Sequence, residues 1–479
     1  MPMSRDACLA CAQADVVVSS RIFLANVTQR YFLCRPETIL GSGKGSYEIM
    51  AKRRLGFGGR VGALWFGVAL LVSACRWGGQ PSSRQTASGE TSTGAEQGAA
   101  AMLEQKIRTA FAQEAPKGAS HPIVVEGSFR AQIESVVPPQ LAFDDGLHTV
   151  EAHLGPDNTV TCYVRDEVLD ISNALQTAFK LAGENVEFKR IFPYALKVVG
   201  TVPIFGVRGV YVAQEQGGQI VGDYKIAGVM GAGWSVVCEH DQPGYAESFL
   251  RVVQGLVESL EFAPSQLPAA SDRTEVWGAY LQEVPVGFVR GLRTTDENGV
   301  LVESEVSSLL LSRSMTEMVA VDMGDHMLTD KTGALQSRET VRNVSGEIAL
   351  DITLKRSEEG YAYSGSVQGK PVSREFETAT DIKGPSAMEA RVADIIASGE
   401  PQVFKHLEYL VTIDPSGPLE VTYHVSSSEG RWYADWVVGG LSVKVAVDEQ
   451  GRPTQIDTPM GAQTLQLKLL ARTSPAGLE

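Results

Sequence analysis

Cysteine is scarce in this 479-residue chain: six in all, of which only Cys162 and Cys238 follow position 75. Two thiols cannot make a four-cysteine zinc site. The seven histidines, at 121, 148, 153, 240, 326, 406 and 424, are scattered. None stands in the HExxH spacing that sets two imidazoles on one helix face. His148 and His153 are five apart on a predicted strand, which sends their side chains to opposite faces. A GxSxG nucleophile elbow is also missing. Positive charge is in deficit, with 42 basic residues against 57 acidic ones, a net of −15. Residues 1–74 hold 9 basic and 4 acidic residues, so the rest carries 33 against 53, a net of −20. Such a field repels a phosphate backbone and disfavours broad contact with anionic lipid, so no nucleic-acid partner is expected. Past residue 75 no apolar run approaches the roughly 20 residues of a spanning helix.

One uncharged run is present earlier. Lys52, Arg53, Arg54 and Arg60 precede fourteen residues without charge, 61–74. Basic then apolar is the order of a secretory signal, and the run is short for a permanent span. Residues 1–49 do not suit a signal n-region, because they include Asp6, Asp15, Glu37 and Glu48. We therefore expect initiation at Met50, with 1–49 an untranslated or disordered extension. Its Cys8-Leu-Ala-Cys11 lacks a βαβ context for redox chemistry. Its Gly41-Ser-Gly-Lys-Gly-Ser46 lacks the first glycine and the hydroxyl that a P-loop needs.

The run ends in Val72-Ser73-Ala74-Cys75, which resembles the lipobox of bacterial lipoproteins. The resemblance implies cleavage before Cys75, lipid attachment at its thiol and amine, and a membrane anchor. With two or more acyl chains, at about 0.8 kcal/mol per buried CH₂, such an anchor is effectively permanent. Arg76 stands where an aspartate would favour inner-membrane retention, so the expected location is the outer membrane, facing the periplasm. In that oxidising compartment Cys162 and Cys238 read as a disulfide. A metal site using both with Glu239, His240 and Asp241 is the competing reading. No metal, cofactor or catalytic residue is assigned.

The expected organisation is signal peptide 50–74, then 75–118 as lipidated cysteine, tether and short helix, then domains at 119–264 and 273–472. The tether, rich in Gly, Ser and Thr, cannot bury a core. About 25 such residues reach roughly 25 to 30 Å. Leu103, Ile107, Ala110 and Phe111 recur at helical spacing. In the first domain, alternation predicts a strand over 159–165, and Ile171, Leu175, Ala178 and Phe179 predict a helix. Strands follow at 210–215, 219–224 and 234–239, then a helix with Phe249, Val252, Val253, Leu256 and Leu260 on one face. Two helices around an antiparallel run give an α/β/α sandwich. The stretch 238–262, with Gly244-Tyr245 and Phe249-Leu-Arg-Val-Val253, resembles the closing helix of PsbP-like domains, which implies binding or scaffolding.

After a predicted linker at 264–272 the chain is dominated by strands, at 275–281, 287–294, 300–313, 419–425, 431–438, 441–447 and 464–469. Asn298-Gly299 marks a hairpin turn. One helix is predicted over 386–397 from Met388, Val392, Ile395 and Ile396. Asp322-Met-Gly-Asp325 reads as a turn, since the calcium-loop ligand repeat is incomplete, and Asn343-Val-Ser345 reads as a loop. Trp277 to Phe288, with Trp432 to Trp436 and Gly451-Arg-Pro-Thr454, resembles the β-domains related to LolA and LolB. That implies a mainly-β curved antiparallel sheet, an incomplete barrel over a helix. Similar domains precede some transglutaminase-like modules, but no cysteine after 238 supplies that thiol. The fold class expected overall is thus α+β.

The function expected is a non-enzymatic envelope lipoprotein. In one form its C-terminal sheet binds a lipid or other apolar ligand. In the other it is an assembly protein that offers surfaces to an envelope protein partner. A filled concave face with an exposed apolar patch would favour the second.

Overall fold

The computed structural model describes residues 109–144, 146–215, 218–263, 271–378, 380–474 and 477–478. Cys75 and the segments expected as signal peptide and tether lie outside the described residues, as does most of the expected linker. The helix expected from Leu103 shows only its end, helical over 109–111.

Among the described residues strands dominate, all sheets are antiparallel and none is closed. The first half contains β1 (Ala119–Val125), β2 (Phe129–Ser135), β3 (Gln140–Asp144), β4 (Leu147–Gly155), β5 (Asn158–Arg165), helix α1 (Ile171–Ala182), β6 (Glu187–Val199), β7 (Val202–Glu215), β8 (Gly218–Met230), β9 (Ser235–His240), helix α2 (Ala246–Ser259) and β10 (Glu261–Phe262). Seven of these strands form a sheet in the order β3-β4-β5-β9-β8-β7-β6, and β1-β2-β10 form a small one. Helix α2 and the small sheet pack on one face of the seven-stranded sheet, around Val160, Val236, Phe249 and Val253. Helix α1 packs on the other, around Ile171, Leu175, Phe205 and Ile226. β7 and β8 are 14 and 13 residues long, far beyond the short strands expected. Their N- and C-terminal halves, respectively, are buried on both faces, so the alternation that marks a half-exposed strand is lost there.

The second half contains β11 (Arg273–Leu281), β12 (Val284–Thr295), β13 (Leu301–Ser312), β14 (Met318–Thr329), β15 (Leu335–Val344), β16 (Glu347–Arg356), β17 (Gly360–Val367), β18 (Lys370–Glu377), helix α3 (Pro385–Ser398), β19 (Gln402–Glu408), β20 (Leu419–Ser428), β21 (Arg431–Val438), β22 (Leu441–Val447), β23 (Pro453–Met460), β24 (Gln463–Ser474) and β25 (Gly477–Leu478). They make one fifteen-stranded sheet. A meander runs from β11 out to β18, α3 crosses over, and a second meander returns from β19 to β24, which pairs with β11. The outer strands β18 and β19 do not meet, so the barrel stays open.

Two sequence expectations are corrected here. Asp322 and Asp325 do not form a turn; both lie within β14. Asn343 likewise lies within β15, which ends at Val344, and only Ser345, at φ 51, belongs to a turn. The first half of β14 is covered on both faces, with Met318, Ala320 and Asp322 toward α1 and Val321 and Met323 toward the barrel interior. Its acidic residues are held by side chains and amides of other elements, which the local ligand spacing behind the turn reading does not show.

Helix α1 also joins the two sheets. Phe288, Leu310, Met318 and Ala320 of the large sheet belong to the same apolar cluster as its buried stripe. The helix has no cap from its own N-terminal residue. Instead Asp322 accepts hydrogen bonds from the Ser172 and Asn173 amides, at 3.1 and 2.9 Å, and from Ser308 Oγ at 2.6 Å. A carboxylate there satisfies orphan amides and suits the helix dipole. Helix α2 uses the same device, with Glu114 accepting from the Glu247 and Ser248 amides at 3.0 and 2.7 Å.

Candidate functional site

The residues singled out from sequence fare differently. Cys75 lies outside the described residues. Cys162 and Cys238 face each other across β5 and β9 and are joined by a disulfide, with Cα atoms 4.0 Å apart. The competing metal reading is corrected by this: the sulfurs are spent, Glu239 accepts from Tyr163 and Tyr224 at 2.8 and 2.7 Å, and the His240 ring bonds Asn158. Among the described residues no group of three or more His, Cys, Asp or Glu is placed to hold a metal.

The densest chemistry lies inside the open barrel, where the sequence reading assigned nothing. Side chains two apart on a strand share a face, and strand register stacks them in rows. One row runs Arg273, Arg293, Glu303. The next runs Arg472, Glu275, Gly291, Glu305, Asp325, Thr340. Helix α3 lies over the first row. Its Glu389 takes paired hydrogen bonds from Arg273, at 2.8 and 3.1 Å, and from Arg293, at 2.9 and 3.1 Å. Ser386 Oγ donates to Glu303 at 2.5 Å. Burial alone would raise the Glu389 carboxyl, but Arg293 and Arg273 hold it well below the usual range. Around this clamp Met388, Val392 and Ile395 enter the apolar cluster that contains Trp277, Tyr361 and Trp436.

In the second row Arg472 bonds Glu275 at 2.6 Å, and Arg338 and Thr340 both donate to Asp325 Oδ1, at 2.9 and 2.6 Å. Glu305 stands directly across from Asp325 and is 1% exposed. Among the described residues neither of its oxygens has a partner, and Asp325 Oδ2 has none either. Gly291 presents no side chain on its other flank. Burial first, and the Asp325 charge second, push the Glu305 carboxyl well above the ordinary range. Two adjacent buried carboxyls cannot both ionise at small cost, and the Arg338 charge offsets part of that cost at Glu305. Glu408, buried and bonded by Tyr423, is likewise raised to about 7. The arrangement ties neighbouring strands together through side-chain ion pairs and hydrogen bonds. Glu305, Asp325 and Trp277 are all sealed from solvent.

The sequence signal for this layer was present but unread. In Glu303-Ser-Glu305-Val-Ser307 the acidic residues recur at period 2, and Glu389 interrupts the apolar stripe of α3 beside Met388. A charge inside an apolar stripe calls for a buried partner.

On the outside, β3 is exposed along its whole length, with Leu141 and Phe143 at 48% and 66%. Val136 and Val137 just before it are also exposed. Among the described residues no helix is long and apolar enough to cross a membrane.

No protein-family model matches the chain, and no curated protein does. Among solved structures, a β-barrel-like protein of domain of unknown function DUF1849 from Brucella abortus is similar with a TM-score of 0.35 and 9% identity, covering 44% of this chain and 98% of that one.

Proposed function

We propose that the protein is a non-enzymatic scaffold of the bacterial envelope, anchored by lipid at Cys75 and built to present surfaces to protein partners. In this reading the first half is a PsbP-like α/β/α sandwich. The second is an incomplete barrel of the kind related to LolA and LolB. The observation that carries the proposal is the seating of α3 in the interior of the large sheet. Met388, Val392 and Ile395 of α3 pack into it, and the Glu389 clamp fixes the helix to two arginines. An acyl chain seated there would displace the helix and lie against buried carboxylates and guanidinium groups, an unfavourable exchange. A sheet whose interior seats its own helix, together with an exposed apolar strand elsewhere, suits assembly better than carriage.

Mass spectrometry of the full chain purified from bacterial envelopes tests both parts. The scaffold reading expects a diacylglyceryl-modified, acylated Cys75 at the N-terminus and no co-purifying lipid bound stoichiometrically by the folded part. An unmodified Cys75 would sink the anchor. A stoichiometric lipid lost on Val392→Trp, which overfills the α3 seat, would return the barrel to ligand carriage.

A further inference from the structure

The exposed strand β3 invites a specific partner, because edge strands are ordinarily protected. A free edge offers unpaired backbone groups to any passing strand, and proteins blunt it with proline, lysine, shortness or cover. The other edges here follow that rule. β1 carries Pro122, β18 carries Lys370, Pro371 and Arg374, and β19 carries Lys405. β10 and β25 are two residues long. β6 contains Lys189, Arg190 and Pro193, and its Ile191 amide donates to the Met315 carbonyl at 2.7 Å. β3, Gln140-Leu-Ala-Phe-Asp144, has no proline and no basic residue within it, pairs among the described residues only with β4, and has all five residues exposed.

We propose that β3 pairs antiparallel with β3 of a second copy of this chain, about a two-fold axis at Ala142. The strand is self-complementary in that register. Leu141 falls opposite the second copy's Phe143, and Gln140 opposite its Asp144, so apolar meets apolar and an amide donor meets a carboxylate. No like charges face each other, and cross-strand pairs of this kind stabilise a sheet. The apolar side is backed by a formed layer. Leu141 lies beside buried Val150, and the Phe143 ring packs on His148 with centroids 4.6 Å apart. His148 packs in turn edge-on against buried Phe129 at 5.3 Å. A closed two-fold contact uses the same patch on both subunits and consumes both edges, so growth stops at a dimer. The result is a continuous fourteen-stranded sheet through two molecules. This deepens the scaffold reading by naming its partner. A dimer lost without change at Cys75, or a lipid-free monomer, separates its failure from failure of the anchor.

The test is sedimentation of the purified full chain together with the Ala142→Cys variant. Facing Cα atoms in an antiparallel pair lie about 4.5 to 5.5 Å apart, within disulfide range. Mild oxidation should therefore yield a peptide joining the two copies of position 142, identified by mass spectrometry. The wild-type dimer should weaken at least about tenfold, the equivalent of 1.4 kcal/mol, in both Leu141→Lys and Phe143→Lys. Circular dichroism should stay unchanged in both, since the two side chains are exposed. A wild-type monomer at all concentrations, a dimer indifferent to both lysines, or a 142 link found only to another protein would each overturn the pairing.

Discussion

Glu239 shows how a buried acid becomes a stability statement. Burial raises its carboxyl to about 7 from 4.5, against the opposing hydrogen bonds of Tyr224 and Tyr163. The folded protein thus holds a proton that the unfolded chain releases sooner. The stabilisation this gives is complete below the unfolded value, declines as pH rises, and is gone above about 7. Glu239→Gln removes the titration while keeping polar atoms near both tyrosines. In urea unfolding, the stability of wild type minus that of the variant should fall as pH goes from 4.5 to 7 and then level off. A flat difference across that span would mean that the group titrates normally. His240 works in the opposite direction. Its buried ring is held at about 2, so it contributes stability that is lost as pH falls below the ordinary histidine range.

At the scale of elements, α3 is set by one charge inside an apolar stripe. Its N-terminal turn begins with Pro385, whose fixed φ suits the first helical position, and it ends at Gly399 with φ +73, where the Gly399 amide donates to the Ile396 carbonyl. These local features end the helix, but they do not say where it docks. Docking is decided by Glu389 meeting Arg273 and Arg293. Glu389→Ala strips a shared carboxylate from two buried guanidinium groups, a loss of about 3 kcal/mol, at the lower end for a broken buried pair. Glu275 at 3.2 Å from Arg273 and Glu303 at 3.0 Å from Arg293 still compensate in part. The measurement is denaturant unfolding followed by Trp277, which shares the cluster with the helix. A change under about 0.5 kcal/mol, the scale of surface substitutions, would show that the clamp contributes little.

Across the whole molecule, α1 is the shared core of both sheets, and Asp322 supplies its cap from 150 residues away. The two halves should therefore unfold in one transition. Asp322→Ala leaves two helix amides unpaired and should cost about 1 to 3 kcal/mol, broadening or splitting the transition in calorimetry. Two well-separated transitions in the wild type would refute shared packing. The Cys162–Cys238 bridge closes a loop with a sequence separation of 76, all within the first half. The chain-entropy model assigns such a loop roughly 4 to 5 kcal/mol, with real values often lower. Alkylation without reduction should label neither cysteine, and reduction should lower the unfolding midpoint.

Much of the element order was legible in the sequence because it follows from local periodicity. The stripe of Ile171, Leu175, Ala178 and Phe179 lies buried on α1, and the strand at 431–438 appears with those bounds. Period and turn chemistry are properties of neighbouring residues, so they survive without knowledge of the fold. The sense of a charge does not. Asp322, Asp325, Glu305 and Glu389 carry no local mark of their roles until the fold sets Ser172, Arg338 and Arg293 against three of them and leaves Glu305 without a hydrogen-bond partner among the described residues. Which carboxylate is capped or clamped depends, for Asp322 and Glu389, on groups more than 100 residues away, and only the tertiary structure brings them together.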